Sequence, residues 1–216
     1  MNLYPKNHIP EREVKKFIVI FYIVGFLGFM IPYTKNFFVF ITPFAILLNI
    51  YLLGLYHTYY SRKNIVFFLL VFLLAYSIEV IGVKTGLIFG NYHYGKALGV
   101  KIFETPILIG VNWLFLTYAG TSILKSLKLK PVFIILFTPL LIVIYDIILE
   151  QIAPKIQMWY WDNVSVPVKN FFAWYFIGMI LVFLFQIFKI ETENSMAKTL
   201  LFSQFLFFVM LILFLK

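Results

Sequence analysis

The chain has 216 residues, of which 62% are hydrophobic, 21% aromatic and only 12% charged. A soluble domain is roughly 45–50% apolar and about 25% charged, so this chain lacks the polar residues to coat one and reads as an all-α membrane protein. It has no cysteine, which excludes disulfides, thiolate metal ligands and cysteine nucleophiles. The net charge of +9 sits at the ends of apolar runs, where it sets orientation and meets lipid headgroups, so nucleic acid is not an expected partner.

Seven apolar runs follow one another: Phe17–Tyr33, Phe37–Tyr60, Asn64–Val83, Pro106–Leu124, Pro131–Glu150, Asn170–Phe188 and Lys198–Leu215. Each is near the roughly 20 residues that cross the hydrocarbon core as a helix. The first follows Lys15 and Lys16, but its tail Met30-Ile31-Pro32-Tyr33 lacks a small-residue cleavage pattern, so it is expected to stay as an anchor. The predicted fold is a single domain over residues 1–216, a polytopic bundle of about seven transmembrane helices.

Lysine and arginine in the connections set the predicted orientation. One side carries Lys6, Arg12, Lys15, Lys16, Arg62, Lys63, Lys125, Lys128, Lys130, Lys189 and Lys198; the other carries Lys35, Lys84, Lys96, Lys101, Lys155, Lys169 and Lys216. The excess places the N-terminus in the cytoplasm by the positive-inside rule. Both long connections, Lys84–Thr105 and Gln151–Lys169, then fall on the non-cytoplasmic side. Each carries an aromatic triplet, Tyr92-His93-Tyr94 in one and Trp159-Tyr160-Trp161 in the other.

Three acids lie inside apolar runs: Glu79, Asp146 and Glu150. An acid there costs about 2.5–3.5 kcal/mol on insertion scales, so it usually faces the bundle interior and marks a function. Asp146 and Glu150 are four apart and share a helix face. A carboxyl removed from water can act as a general acid near neutral pH, and two neighbouring carboxyls can hold one proton between them. The competing structural role is pairing at the interface, Glu79 with Lys84 and Glu150 with Lys155. Asn112, Trp113, Asn170 and Trp174 open the runs that re-enter from the same side. Polar groups of four helices are thus expected to meet at one depth.

The aromatic triplets have two readings. Interfacial belts explain Trp and Tyr at membrane boundaries; alternatively their π faces line a pocket for a long apolar substrate and stabilise a developing cation. The spacing also suggests a duplication. Glu79 stands 13 residues before Tyr92-x-Tyr94 and Asp146 stands 13 before Trp159-x-Trp161, and each unit continues to a proline with a tryptophan seven on, Pro106 to Trp113 and Pro167 to Trp174. Such units would be parallel repeats with the site between them. Gly82, Gly86, Gly90, Gly95 and Gly99 punctuate the first loop and suit a segment folded back onto the bundle. His8, His57 and His93 show no ligand spacing, so no metal is expected.

The stretch Glu79-Val-Ile-Gly82-Val-Lys84-Thr85-Gly86, Phe89-Gly90-Asn91-Tyr92-His93-Tyr94, Leu98-Gly99 and Pro106 resembles the carotenoid biosynthesis protein family. Asp146-x-x-x-Glu150, Trp159-x-Trp161, Pro167, Asn170-Phe171 and Trp174 resemble it too, so that the likeness covers roughly residues 64–188. The resemblance implies a multi-pass enzyme of a prokaryotic inner membrane that needs no cofactor. Its partners would be lipid, a carotenoid substrate and other enzymes of that pathway. The implied reaction is addition of water across the terminal C1=C2 double bond of an acyclic carotenoid, giving a 1-hydroxy end group. Asp146 or Glu79 is expected to donate the proton and Glu150 to orient the water. Asn112 and Asn170 are expected to help hold the water. Tyr92, Tyr94, Trp159 and Trp161 would face the cation, with Trp113 and Trp174 beside the substrate. The alternatives are a membrane lycopene cyclase, which quenches the same cation with the chain's own double bond, and a proton-coupled transporter.

Overall fold

A computed structural model describes residues 9–163 and 165–215; Lys6, His8 and Lys216, used above, lie outside them. Seven helices make up most of the described chain: α1 (Glu11–Met30), α2 (Pro32–Leu55), α3 (Arg62–Thr85), α4 (Ile107–Ser126), α5 (Pro131–Glu150), α6 (Val168–Ile187) and α7 (Ala197–Phe214). Six of them, α2 to α7, are long and apolar enough to cross a membrane, as expected of a multi-pass membrane protein. The other, α1, has 20 residues and opens with the charged segment Glu11–Lys16. Two i,i+3/i,i+4 ion pairs tie that segment together, Lys15 to Glu11 at 3.3 Å and Lys16 to Glu13 at 2.9 Å.

Local chemistry sets the helix ends. Pro32 and Pro131 occupy first-turn positions of α2 and α5, where a missing N–H costs nothing. The first two helices are therefore parted at Ile31 rather than over the expected 33–37 stretch. Ser61 caps α3 by accepting from the Asn64 N–H at 3.1 Å. Pro106 and Pro167 stand at the N-caps of α4 and α6 in the same extended conformation, φ −64° and −65°. Gly86 closes α3 in the left-handed region at φ 62°.

Helix α4 is the hub. Of its apolar window 67% is buried, against 28–39% in the other five candidate spans. It packs on α3 and α5 and also touches α2, α6 and α7. Helices α5 and α6 form the other close pair, and α1 lies along α7 and α2.

Two small ribbons cover one end. Strand β1 (Tyr92–Tyr94) pairs antiparallel with β4 (Trp159–Trp161), in the register Tyr92–Trp161, His93–Tyr160 and Tyr94–Trp159. The two aromatic triplets therefore lie at one end of the bundle and bond to each other. Beyond β1, the Gly95 N–H donates to Met158 O at 2.8 Å. A Cβ on Gly95 would come within 2.2 Å of the Gln157 carbonyl, so no larger residue fits this approach. Between triplet and proline the first loop is six residues longer than the second, and it accommodates a hairpin there, β2 (Lys101–Ile102) against β3 (Thr105–Pro106). Its two-residue turn, Phe103–Glu104, has φ of 52° and 65°, the conformation that matches strand twist in tight hairpins.

Candidate active site

The acid end of α3 meets β1 from above. Glu79 is 2% exposed and its hydrogen-bond partners among the described residues are all aromatic. Its Oε2 accepts from the Tyr92 hydroxyl at 2.8 Å and the Tyr94 hydroxyl at 2.9 Å, and its Oε1 accepts from Trp113 Nε1 at 2.8 Å. Burial first, and the charge of Glu79 second, push both phenols well above the ordinary tyrosine value, so they remain donors. Lys84 does not pair with Glu79; its ammonium stands 4.7 Å from the Phe103 ring centroid.

The acid end of α5 meets β4. Glu150 Oε2 accepts from Trp159 Nε1 at 2.9 Å and Trp161 Nε1 at 2.8 Å. Lys155, its expected surface partner, donates instead to Leu215 O at 3.0 Å. One turn deeper, Asp146 is fully buried. Asn170 Nδ2 donates to its Oδ2 at 2.9 Å, while its Oδ1 has no hydrogen-bond partner among the described residues.

Glu79 and Glu150, though not the deeper Asp146, line a small cavity, with about 20 Å³ of room for the centre of a water molecule. Glu79, Glu150, Tyr92, Trp161, Asn170 and Trp174 are among its walls. That is space for about one water, with the polar partners a buried water requires. Trp113 stacks on Trp174, ring centroids 4.2 Å apart, and Tyr92 lies 5.0 Å from Trp161. The structure thus brings together Glu79, Asp146, Glu150, Tyr92, Tyr94, Trp113, Trp159, Trp161, Asn170 and Trp174.

Asn112 belongs elsewhere. It lines a larger, mainly apolar chamber of about 320 Å³ walled by α1, α2, α4, α5 and α7 and by the loop before β4. Ile109 and Trp159 line both spaces, so the chamber abuts the acid cluster. Its polar wall residues include Tyr22, Thr42, Asn49, Asn112, Tyr145 and Gln204. Sequence reasoning passed over all of these but Asn112, because each is a single polar residue in an apolar run. The signal was there in Asn49 and Gln204, amides in mid-span that call for a buried partner.

The histidines stay apart. His57 Nδ1 lies 2.7 Å from the Tyr118 hydroxyl at the opposite end of the bundle, and His93 Nδ1 lies 3.4 Å from Asp162 on the exposed face of β1. Among the described residues no group of three or more His, Asp or Glu is placed to hold a metal ion.

The chain matches the profile of carotenoid biosynthesis proteins over residues 36–216. It belongs to that family. The match takes in most of α2 and all of α7, beyond the 64–188 core expected from motifs, and so includes helices that wall the chamber as well as Glu79, Asp146 and Glu150. Among curated proteins, the chain is 27% identical over 127 residues to a bisanhydrobacterioruberin hydratase from Haloarcula japonica. The aligned part is 53% of this chain and 42% of that protein, so the chain spans less than half of that relative. No solved structure matches the chain.

Proposed function

We propose that this family member is a carotenoid hydratase, adding water across the terminal C1=C2 double bond of an acyclic carotenoid to give a tertiary 1-hydroxy end group. The observation that carries the reading is the unequal use of the three acids. Both oxygens of Glu79 are taken by aromatic donors and Glu150 is held by two indoles through Oε2 alone, whereas Asp146 keeps one fully buried oxygen free. Asp146 is then the proton donor, with Asn170 fixing its other oxygen.

The proton goes to C2 and the π electrons form the new C–H bond, leaving a tertiary cation at C1. Glu79 and Glu150 supply negative charge beside that cation, and the faces of Tyr92, Trp159, Trp161 and Trp174 supply π density. Water held by Glu150 and Asn170 in the small cavity attacks C1. The proton it sheds passes to a neighbouring carboxylate and returns to the Asp146–Glu150 pair, so the net change is one water added. The end group reaches this point from the apolar chamber, past Ile109 and Trp159.

The test is expression in a host that makes acyclic carotenoids, with products weighed after growth in ¹⁸O-labelled water. A product heavier by one labelled water supports the reading. A product of unchanged mass, an isomer, assigns the chain to cyclisation instead.

The lysine asymmetry further supports an N-terminus in the cytoplasm and the β1–β4 ribbon on the non-cytoplasmic side. Reporter fusions at Lys63, Lys128 and Lys189 should report cytoplasm and fusions at Lys96 and Asp162 the outside. Lys96 and Lys128 on one side would contradict it.

A further inference from the structure

The chamber contains a polar set that the acid chemistry does not use. Gln204, on α7, is 6% exposed and lines the chamber, and its Oε1 has no hydrogen-bond partner among the described residues. Also on the chamber wall, Asn49 Nδ2 donates to the Tyr22 hydroxyl at 2.6 Å, which leaves the phenol's own proton free to be given. Tyr22 packs on Phe207, centroids 5.6 Å apart, one turn along α7 from Gln204. A side-chain amide and a phenol with a free proton therefore stand on the wall of a space otherwise lined largely by hydrocarbon. The chamber also reaches the lipid: Val24 on α1 and Phe37 on α2 line it and are 52% and 59% exposed.

We propose that the chamber binds an acyclic isoprenoid chain drawn from the bilayer between α1 and α2, and that Gln204 and Tyr22 read a hydroxyl group on it. A hydroxyl donates once and accepts twice, so it satisfies both side chains where a hydrocarbon leaves them unpaired. A polar site rejects the ligand that lacks its partner far more strongly than an apolar pocket rejects an extra methylene. Gln204 is thus a specificity-determining residue. The inference deepens the hydratase reading and rests on it for the role of the chamber, not for the binding itself.

The experiment measures binding of two radiolabelled probes to the full chain in lipid nanodiscs, a saturated branched C20 tertiary alcohol and the alkane of the same skeleton. Neither has a double bond to hydrate, and weighing the recovered alcohol checks that none has lost water by the reverse reaction. The alcohol should bind about tenfold more tightly than the alkane, the order expected of one well-made buried hydrogen bond. Gln204→Leu should bind the two alike, with alkane affinity unchanged, which also shows that the variant is folded. Ala45→Phe, which fills the chamber wall on α2, should bind neither; Ile41→Trp repeats that arm if Ala45→Phe lowers the melting temperature.

A wild-type chain that does not distinguish the probes overturns the inference, since Gln204 then serves only a water. So does a Gln204→Leu variant that keeps the preference, or strong binding by both chamber-filling variants. Loss of the preference with hydration intact removes this inference alone; preference without any hydration product removes the hydratase reading alone.

Discussion

In the first half of the site, α3, β1 and α4 surround one acid, and every donor within reach points at it. Tyr92 and Tyr94 take one oxygen of Glu79 and Trp113 takes the other. In the second half, α5, β4 and α6 repeat the plan with two acids and divide the work. Glu150 holds the strand through Trp159 and Trp161, and Asp146, one turn deeper, keeps a free oxygen with Asn170 on its other side. Trp113 and Trp174, seven residues after the capping prolines of α4 and α6, stack on each other where the halves meet. The two halves are alike in scaffold and different in what they leave unspent. Glu79, with donors on both oxygens, can hold charge and shape, and Glu150 is held through Oε2 alone; Asp146, with an idle buried oxygen, can deliver a proton.

That contrast is sharpest in amide substitutions. Asp146→Asn keeps size and the ability to meet Asn170 but removes the transferable proton, so hydration should fall by about 10²–10⁴-fold, the usual contribution of general acid catalysis. Equal amounts of inserted protein, measured by blot, make the comparison fair. Retention of near-normal turnover would move the proton donor out of the second half.

Glu79→Gln tests the opposite role. It removes negative charge beside the cation but leaves an oxygen for Trp113, so hydration should fall by about 10²-fold, the order of a single preorganised electrostatic contact. The loss should be smaller than for Asp146→Asn. If instead Glu79→Gln is the more damaging of the two, the halves have exchanged roles.

Much of this was legible in the sequence, for reasons that can be located. Glu79, Tyr92 and Tyr94 were linked by spacing, and the acids' cost in lipid pointed them inward. The two triplets were placed on one side because each lies an odd number of spans from the N-terminus; their pairing into one ribbon was not foreseen. The matching of acids was misleading. The 13-residue interval aligned Asp146 with Glu79, yet it is Glu150 that binds Trp159 and Trp161. The chain turns over 151–157 immediately after α5 and brings β4 back over the last helical turn. The chamber was illegible, because it depends on how α1, α2 and α7 pack around Tyr22, Asn49 and Gln204, and no periodicity records that.

Smaller effects should come from the strand side of each acid. Trp161→Phe deletes one of two indole donors on Glu150 and leaves Trp159, so the expected result is a fall of a few degrees in melting temperature. Hydration should fall by about tenfold, as for a hydrogen bond to a charged group. Circular dichroism in nanodiscs reads the first and product mass the second. A stability loss with full activity would make Glu150 a scaffold residue only.

The smallest effect is expected in the first half, where two hydroxyls share one oxygen. Tyr92→Phe or Tyr94→Phe alone removes a donor from Glu79 Oε2 but leaves the other at 2.9 or 2.8 Å, and the ring is kept in place by its neighbours. Each single change should therefore cost activity only severalfold, within the range of one net hydrogen bond of about 0.5–1.5 kcal/mol. Changing both strips that oxygen of its side-chain donors in a site with room for only about one water, and the loss should exceed the product of the two single losses, because residues in one network do not act independently. The double-mutant cycle reads this directly from initial rates of hydrated product. Strict additivity would mean that the tyrosines act separately, as ring faces towards the cation, and that Glu79 is held in place by Trp113.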